Sequence, residues 1–366
     1  MADHPRRNFK RICICADILL DCFRLLAPAK VGLALALVSD RFDVLADTHF
    51  RSRKWPIGNL GICRGKNGAA IHNQKGGEGR TAAVELLLPI PQVPLPNGVV
   101  GFGRIGLGYI DGTIIAFLRR IRRLFHTNGG VTLELSFSSV EGRSCDAFAS
   151  SIWPLLNAAA IVEMRFKVNN NLCYLRSRLS PSILRDCANL RLISICYGLF
   201  PQFPPDDRPG ATDGQAVCKW LHTAQADAHP KVLRCALGRA FSMEALQNCQ
   251  KCASFMVLYI GTFLFKAFLN ATTSVGFIIV ARWYCRVVPF ELENGLTREQ
   301  LALRNIRHDW WLMERAPIGR NARQWAEWER EAFGENGQQG RQSGRNVLIF
   351  RAYDDDIGVL SPSAIN

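Results

Sequence analysis

Apolar positions in the first fifty residues recur at helical spacing. Ile18, Leu19, Cys22 and Leu26 fall on one stripe, and Pro28 stops that helix or begins the next. Val31, Leu35, Val38 and Phe42 follow at spacings of four, three and four, and Leu45 extends their face. That predicts a second amphipathic helix. From Ile14 to Phe50 the chain therefore reads as two or three small helices, closed by Val38-Ser39-Asp40-Arg41-Phe42. Such a segment is too small for an enzyme and about the size of a hook that plugs into a partner. Residues 51–80 are rich in Gly, Asn and Lys and read as a loop or irregular linker, with Pro89, Pro91, Pro94 and Pro96 as stiff punctuation behind it.

From Val99 the pattern changes. Strand-like runs occupy Val99–Ile110, Val131–Phe137, Ala160–Phe166 and Leu190–Cys196. They start about 30 residues apart, the scale of a repeated strand-plus-helix unit. Helix-like stretches lie between them at Thr113–Phe125, Cys145–Leu156 and Leu175–Cys187. A further helix around Gln215–His222 precedes a strand at Lys231–Leu237. One unit alone cannot bury its apolar side; stacked units share a continuous core. The stretch Leu179–Arg191 (LSPSILRDCANLR) has the cadence of a leucine-rich repeat without its strict formula. Ordinary α/β packing without true repeats is the alternative.

The last part reads differently. Val275–Trp283 is strongly apolar, and Val287–Leu292 and Gln300–Arg304 flank Glu293-Asn294-Gly295, a hairpin signal. Trp310–Met313 continues the strand set, Ala322–Phe333 is helical, Gly334–Gly344 is a loop, and Asn346–Tyr353 is a last strand before three aspartates. The expected fold class is α/β. A small helical segment (12–52) and a linker (53–98) precede an irregular leucine-rich-repeat-like α/β array (99–272). A C-terminal β-rich cap with one helix (273–353) and a tail (354–366) follow.

Composition narrows the class. The chain has 366 residues, 48% of them hydrophobic and 21% charged, with a mean hydropathy of +0.02. That supports two to three domains and excludes disorder for most of the length. A formal net charge of +14 favours anionic neighbours. The 13 cysteines form no framework, and Cys13, Cys22, Cys173, Cys187, Cys196 and Cys235 sit in apolar runs. A reducing compartment, cytoplasmic or nuclear, is the expectation. Asp17 and Asp21 break the N-terminal apolar stretch, so no secretion signal is read. Ala253–Phe265 is uncharged but shorter than the roughly 20 residues a membrane helix needs, so it reads as a buried element.

Chemical motifs are sparse. Gly101-Phe102-Gly103-Arg104-Ile105-Gly106 spells G-x-G-x-x-G, but the alternation continues as strand and the next helix starts near Thr113. Arginines, not an acidic ribose ligand, lie further on, so no nucleotide site is expected. Cys249-Gln250-Lys251-Cys252 lacks the second pair of a zinc site. No H-E-x-x-H, G-x-S-x-G or P-loop occurs. No enzyme, metal, cofactor or small-molecule substrate is therefore expected. Arg119-Arg120-Ile121-Arg122-Arg123 ends a helix whose buried side would be Ile114, Phe117, Leu118, Ile121 and Leu124. It reads as a solvated face favoured by the helix dipole, with a phosphate-binding patch as the alternative. Trp310, Trp311, Trp325 and Trp328 read as core.

One resemblance joins these observations. Residues Ile14–Phe50 resemble an F-box, the helical hook that docks on Skp1 in cullin-based ubiquitin ligases. The wider chain is similar to F-box-like proteins of plant-parasitic cyst nematodes. The stretches that carry it are ICADILLDCFRLLAP, VSDRFDVLADTHF, LPIPQVPLPN, IWPLLN, LFPQFPPDD, GQAVCKWLHT, PKVL, VPFELENGLT and RQWAEWEREA. The sequence departs from the pattern in three places. Cys15-Ala16 stands where F-boxes open with Leu-Pro, the usual Asp-Leu of the second helix is replaced near Pro28-Ala29-Lys30, and extra residues occur around Asn248–Thr262. The resemblance implies a non-catalytic adaptor that binds a Skp1-like protein and an unknown protein target. It implies a docking face of Ile14, Ile18, Leu19, Cys22, Phe23, Leu26, Val31, Leu35, Val38 and Phe42. The rival readings are a protein-binding module with a degenerate F-box and no ligase link, and a basic nucleic-acid or membrane-surface binder.

Overall fold

The computed structural model describes residues 14–26, 31, 35–36, 38–52, 54–66, 68–73, 87–92, 95, 97–126, 130–137, 142–168, 171–196, 199–225, 227, 229–236, 268–282, 288–334 and 346–360. The chain divides into two compact units, Met1–Ile57 with Leu95–Gly101, and Gly58–Pro94 with Phe102–Asn366.

The small unit holds helices α1 (Ala16–Arg24) and α2 (Asp40–Ser52), and a short parallel pair, β1 (Trp55–Pro56) with β5 (Val99–Gly101). In α2, Phe42, Leu45, Ala46, His49 and Phe50 recur at the spacing of one helical face, and each is buried or half-buried. Ser39 opens this helix. Its Oγ accepts from the Phe42 N–H at 3.4 Å and its carbonyl from the Asp43 N–H at 3.0 Å. Asp40 and Asp43 in the first turn suit the helix dipole. The predicted helix over Val31–Phe42 therefore does not run through Ser39. Val31 instead closes a wide turn, its carbonyl accepting from the Ala36 N–H at 3.0 Å.

The large unit is built on β2 (Asn59–Gly65), β3 (Gly68–Asn73), β4 (Leu88–Pro89), β6 (Arg104–Leu107), β7 (Val131–Leu135), β8 (Ile161–Phe166), β9 (Leu192–Ile195) and β10 (Lys231–Ala236). To these it adds β11 (Phe277–Arg282), β12 (Phe290–Asn294), β13 (Glu299–Arg307), β14 (Trp310–Pro317) and β15 (Asn346–Phe350). They form one 13-stranded sheet in the order β12-β13-β14-β11-β10-β9-β8-β7-β15-β6-β2-β3-β4. Every pair from β11 to β2 is parallel, and both ends are antiparallel. The helices are α3 (Gly112–Arg120), α4 (Arg143–Ala147), α5 (Asn171–Arg178), α6 (Ile183–Asp186), α7 (Asp213–Leu221) and α8 (Ala322–Phe333). The unit is thus mixed α/β.

Capping fixes where the longer helices begin. Asp111 Oδ1 accepts from the Ile114 N–H at 3.0 Å. Thr212 and Gln215 form a reciprocal capping box. Asn321 caps α8, which ends at Gly334 in the left-handed region (φ 60°). The two sheet faces differ. Leu133, Met164, Ile193 and Leu233 align across β7 to β10 and are fully buried. Phe350 meets Phe148, and Phe277 meets His222, on that same face. On the opposite face α8 lies over β10, β11 and β14, where Trp325 and Ala332 pack on Ile278, Val280 and Leu312.

Several expectations need correction. The stretch read as a linker (53–98) carries β2, β3 and β4, and β2 pairs in parallel with β6. Within it Gly65 stands where strands approach closely: a Cβ there would sit 2.9 Å from the Ala70 Cβ and 3.1 Å from the Gly68 carbonyl oxygen. The run Val99–Ile110 is split into β5 and β6. The run Cys145–Leu156 is not one α-helix; after α4 it widens to a π-turn at Phe148–Ile152 and tightens at Trp153–Leu155, where Pro154 lies. The 273–353 strands continue the same sheet instead of forming a separate cap. The tail is tied in: Asp354 Oδ1 accepts from the Ser144 N–H at 2.9 Å, and the Gly358 N–H bonds the Ile110 carbonyl at 2.7 Å. The hairpin turns through Gly295–Arg298 instead of a two-residue Asn-Gly loop, with the Asn294 side chain accepting from the Leu296 and Thr297 N–H groups. Among the described residues no helix is long and apolar enough to cross a membrane. Ala253–Phe265 and the Cys249/Cys252 pair lie outside the described residues.

Within the sheet a fully buried ion pair joins β13 to β14. Arg315 donates twice to Glu299 Oε2, at 2.6 and 2.9 Å, while Glu299 Oε1 accepts from the Val275 N–H at 2.7 Å and the Ser274 hydroxyl at 2.9 Å. Removing one partner strands the other's charge in the interior. Arg315→Met is expected to lower unfolding free energy by about 3–5 kcal/mol. Adding Glu299→Gln is expected to restore part of the loss. Urea denaturation of both variants measures this, and an Arg315→Met variant as stable as wild type would refute the account.

Candidate protein-docking surfaces

The ten residues expected to dock divide between two sides. Leu19 (8% exposed), Phe23 and Val31 join Leu45 and Ala46 in the small unit's own core, and Leu35 and Phe42 are half-buried against it. The Phe23 ring sits 6.0 Å from Phe42 and edge-on to His49 at 6.0 Å. Ile14, Ile18 (56% exposed), Cys22, Leu26 and Val38 (64% exposed) face outward. Ile18 and Cys22, four residues apart, make an outer stripe on α1, and Ile14 before the helix and Leu26 after it are exposed as well. Arg41 reaches back to hydrogen-bond the Ile14 carbonyl, just before the helix.

Helix α1 therefore has two apolar sides, one inward and one outward. Sequence spacing alone cannot say which is which. Leu25 and Val44, both exposed, were missed. The Ser39-Asp40 start of α2, with a second acid at Asp43, is the signal that would have placed Val44 on the outer face.

A second surface lies on the sheet face that α8 leaves uncovered. Thr132 and Glu134 of β7 align with Glu163 and Arg165 of β8. Glu163 holds Arg165 at 2.7 Å and accepts from the Thr132 hydroxyl at 3.1 Å. Glu134 is shared by Arg351 at 2.5 Å, Lys167 at 3.8 Å and Arg165 at 3.9 Å. The carboxylates are buried while the cations reach solvent. Three cations on two carboxylates leave this patch positive. Its alternation in VTLEL and IVEMRF is visible in the sequence.

The other motifs are accounted for by packing. Ile114, Phe117, Leu118, Ile121 and Leu124 are buried, as the helix pattern predicts. At that helix end Arg120 donates to the Pro91 carbonyl at 3.1 Å and to Gln92 Oε1 at 3.2 Å. Trp311 and Trp325 are buried in the core. The G-x-G-x-x-G segment leads into β6, and the next helix is α3. Among the described residues no group of His, Cys, Asp and Glu could hold a metal ion.

Comparison of the chain with protein-family models, curated proteins and solved structures found no match.

The thiols report the division between surface and core. Burial pushes Cys187 up to about 12, with Asp186 adding to it, and burial alone does the same for Cys218 and Cys235. Cys15 and Cys22 are exposed. Only thiolates alkylate readily. Iodoacetamide at pH 8 followed by peptide mass mapping is expected to label Cys15 and Cys22 in the native protein. Cys187, Cys218 and Cys235 should label only after denaturation. Native labelling of the buried three would contradict the packing described.

Proposed function

We propose that the protein is the substrate-recognition subunit of a Skp1-cullin-F-box type ubiquitin ligase. The observation that carries this reading is the set of exposed apolar side chains on and beside α1 (Ile14, Ile18, Cys22 and Leu26), with Val38, on a unit whose core is already closed by Leu19, Phe23, Val31 and Leu45. A short helix that has buried one apolar side and presents a second one suits capture in a partner's groove. The inward residues of the expected face hold the hook's shape, and the outward ones make the contact.

In this reading the large unit is an irregular leucine-rich-repeat-like array, with β7, β8, β9 and β10 as its successive parallel strands. The cationic face around Arg165, Lys167 and Arg351 would hold the protein target, through acidic or hydrogen-bonding side chains. The subunit performs no chemistry. It raises the target's effective concentration near a ubiquitin-charged enzyme. A binding module without a ligase link is the second reading. It is favoured by Cys15-Ala16 at the start of α1, where Cys15 gives the helix no side-chain cap.

The test is co-purification with a Skp1-like protein. Ile18→Asp with Val38→Asp is expected to abolish capture while circular dichroism stays at the wild-type level, since both side chains lie outside the core. Bound partner should also shield Cys22 from alkylation. Capture that survives the double substitution, or Cys22 labelling unchanged in the complex, removes the docking face. No capture of the wild-type chain leaves the module without a ligase link.

A further inference from the structure

A cleft of about 310 Å³ opens where β10 and β11 begin, between the residues that follow α7 and the first turns of α8. Its walls combine two features that the docking surfaces do not use.

The first is an ammonium without a counter-ion. Lys231 is only 5% exposed. Its Nζ donates to the Trp220 carbonyl at 2.6 Å and lies 5.2 Å from that residue's ring. One acceptor leaves two N–H donors unassigned. Among the described residues Lys231 forms no ion pair, and none of those lining the cleft is acidic. The nearby carboxylates are engaged. Glu314 binds Arg320 at 2.9 Å and the Trp325 indole N–H at 2.9 Å, and Asp227 binds Arg191 and His229. Burial, with Arg191 nearby, pulls the Lys231 amine down to about 8, so it remains charged at neutral pH. A buried charge held only by a carbonyl and a ring is costly, and an anion beside it offsets that cost.

The second feature is flat aromatic wall. Trp328 stands 5.5 Å from Trp325 and 4.9 Å from His229, and all three line the cleft. A pocket of this size, mostly apolar with a few convergent polar groups, suits a small molecule.

We propose that this cleft binds a small planar aromatic anion, its carboxylate or phosphate on Lys231 and its ring against Trp328 and His229. This departs from the sequence expectation of no small-molecule ligand. It stands independently of the Skp1 reading.

Calorimetry on the full chain tests it with 6-hydroxy-2-naphthoate and 2-naphthyl phosphate as the two anion sources, and neutral 2,6-dihydroxynaphthalene as the comparator. At least one anion is expected to bind at one site per chain, about tenfold or more tighter than the neutral diol. Lys231→Met is expected to remove that advantage while leaving the diol unchanged. No heat with either anion overturns the proposal, as does equal binding of anion and diol. Unchanged anion affinity in a folded Lys231→Met variant does so too. The wild-type comparison of anion with diol decides the matter even where the variant fails to fold.

Discussion

The large unit depends on one strand from the far end of the chain. β15 lies between β6 and β7 and pairs in parallel with both. Leu348 and Phe350 point into the core and are fully buried, and Asn346 Oδ1 accepts from the Phe102 N–H at 2.8 Å. Without β15, β6 and β7 have no shared hydrogen bonds and Phe137 and Phe148 lose the Phe350 ring between them. The sheet is continuous only because the chain returns across more than two hundred residues to complete it. Pairings of such long sequence separation are closed late and slowly, since the entropy of loop closure must be met before the contact rewards it.

This explains what could be read from the sequence and what could not. β7, β8, β9 and β10 each pair with the strand next along the chain, and periodicity found all of them within a few residues. Helix α8 was placed at Ala322–Phe333 because its cap and its apolar stripe are both local. The existence of β15 was equally legible, but its position was not, because nothing in NVLIF names β6 and β7 as neighbours. The strands in 53–98 were hidden for a different reason. Glycine-rich segments carry few of the branched residues that mark strands, and here Gly65 stands where a Cβ would crowd the neighbouring strand. The Glu299–Arg315 pair was illegible because two charges in neighbouring strands look like solvent-facing positions until the register buries them.

The exposed apolar side of α1 was half legible. Spacing located an apolar helix and a second apolar segment, and the resemblance supplied a purpose. Leu19 and Phe23 lie in the small unit's core, and a nine-residue helix with two apolar sides gives no internal sign of which one faces in. The cleft around Lys231 was not legible at all. Its wall comes from the end of α7, the starts of two strands and the start of α8, four places that only the folded sheet brings together.

Both outer margins of the large sheet carry features that discourage further strands. On one side β12 turns Glu291 and Glu293 to solvent, so an incoming strand would meet two unmatched negative charges. On the other, β4 is a two-residue strand whose second member, Pro89, has no N–H to offer. Charged side chains, short length and proline are the usual means of blunting a free edge. The consequence is colloidal. Among the described residues, neither rim offers an incoming strand the long, uncharged, unbroken ladder from which fibrils grow.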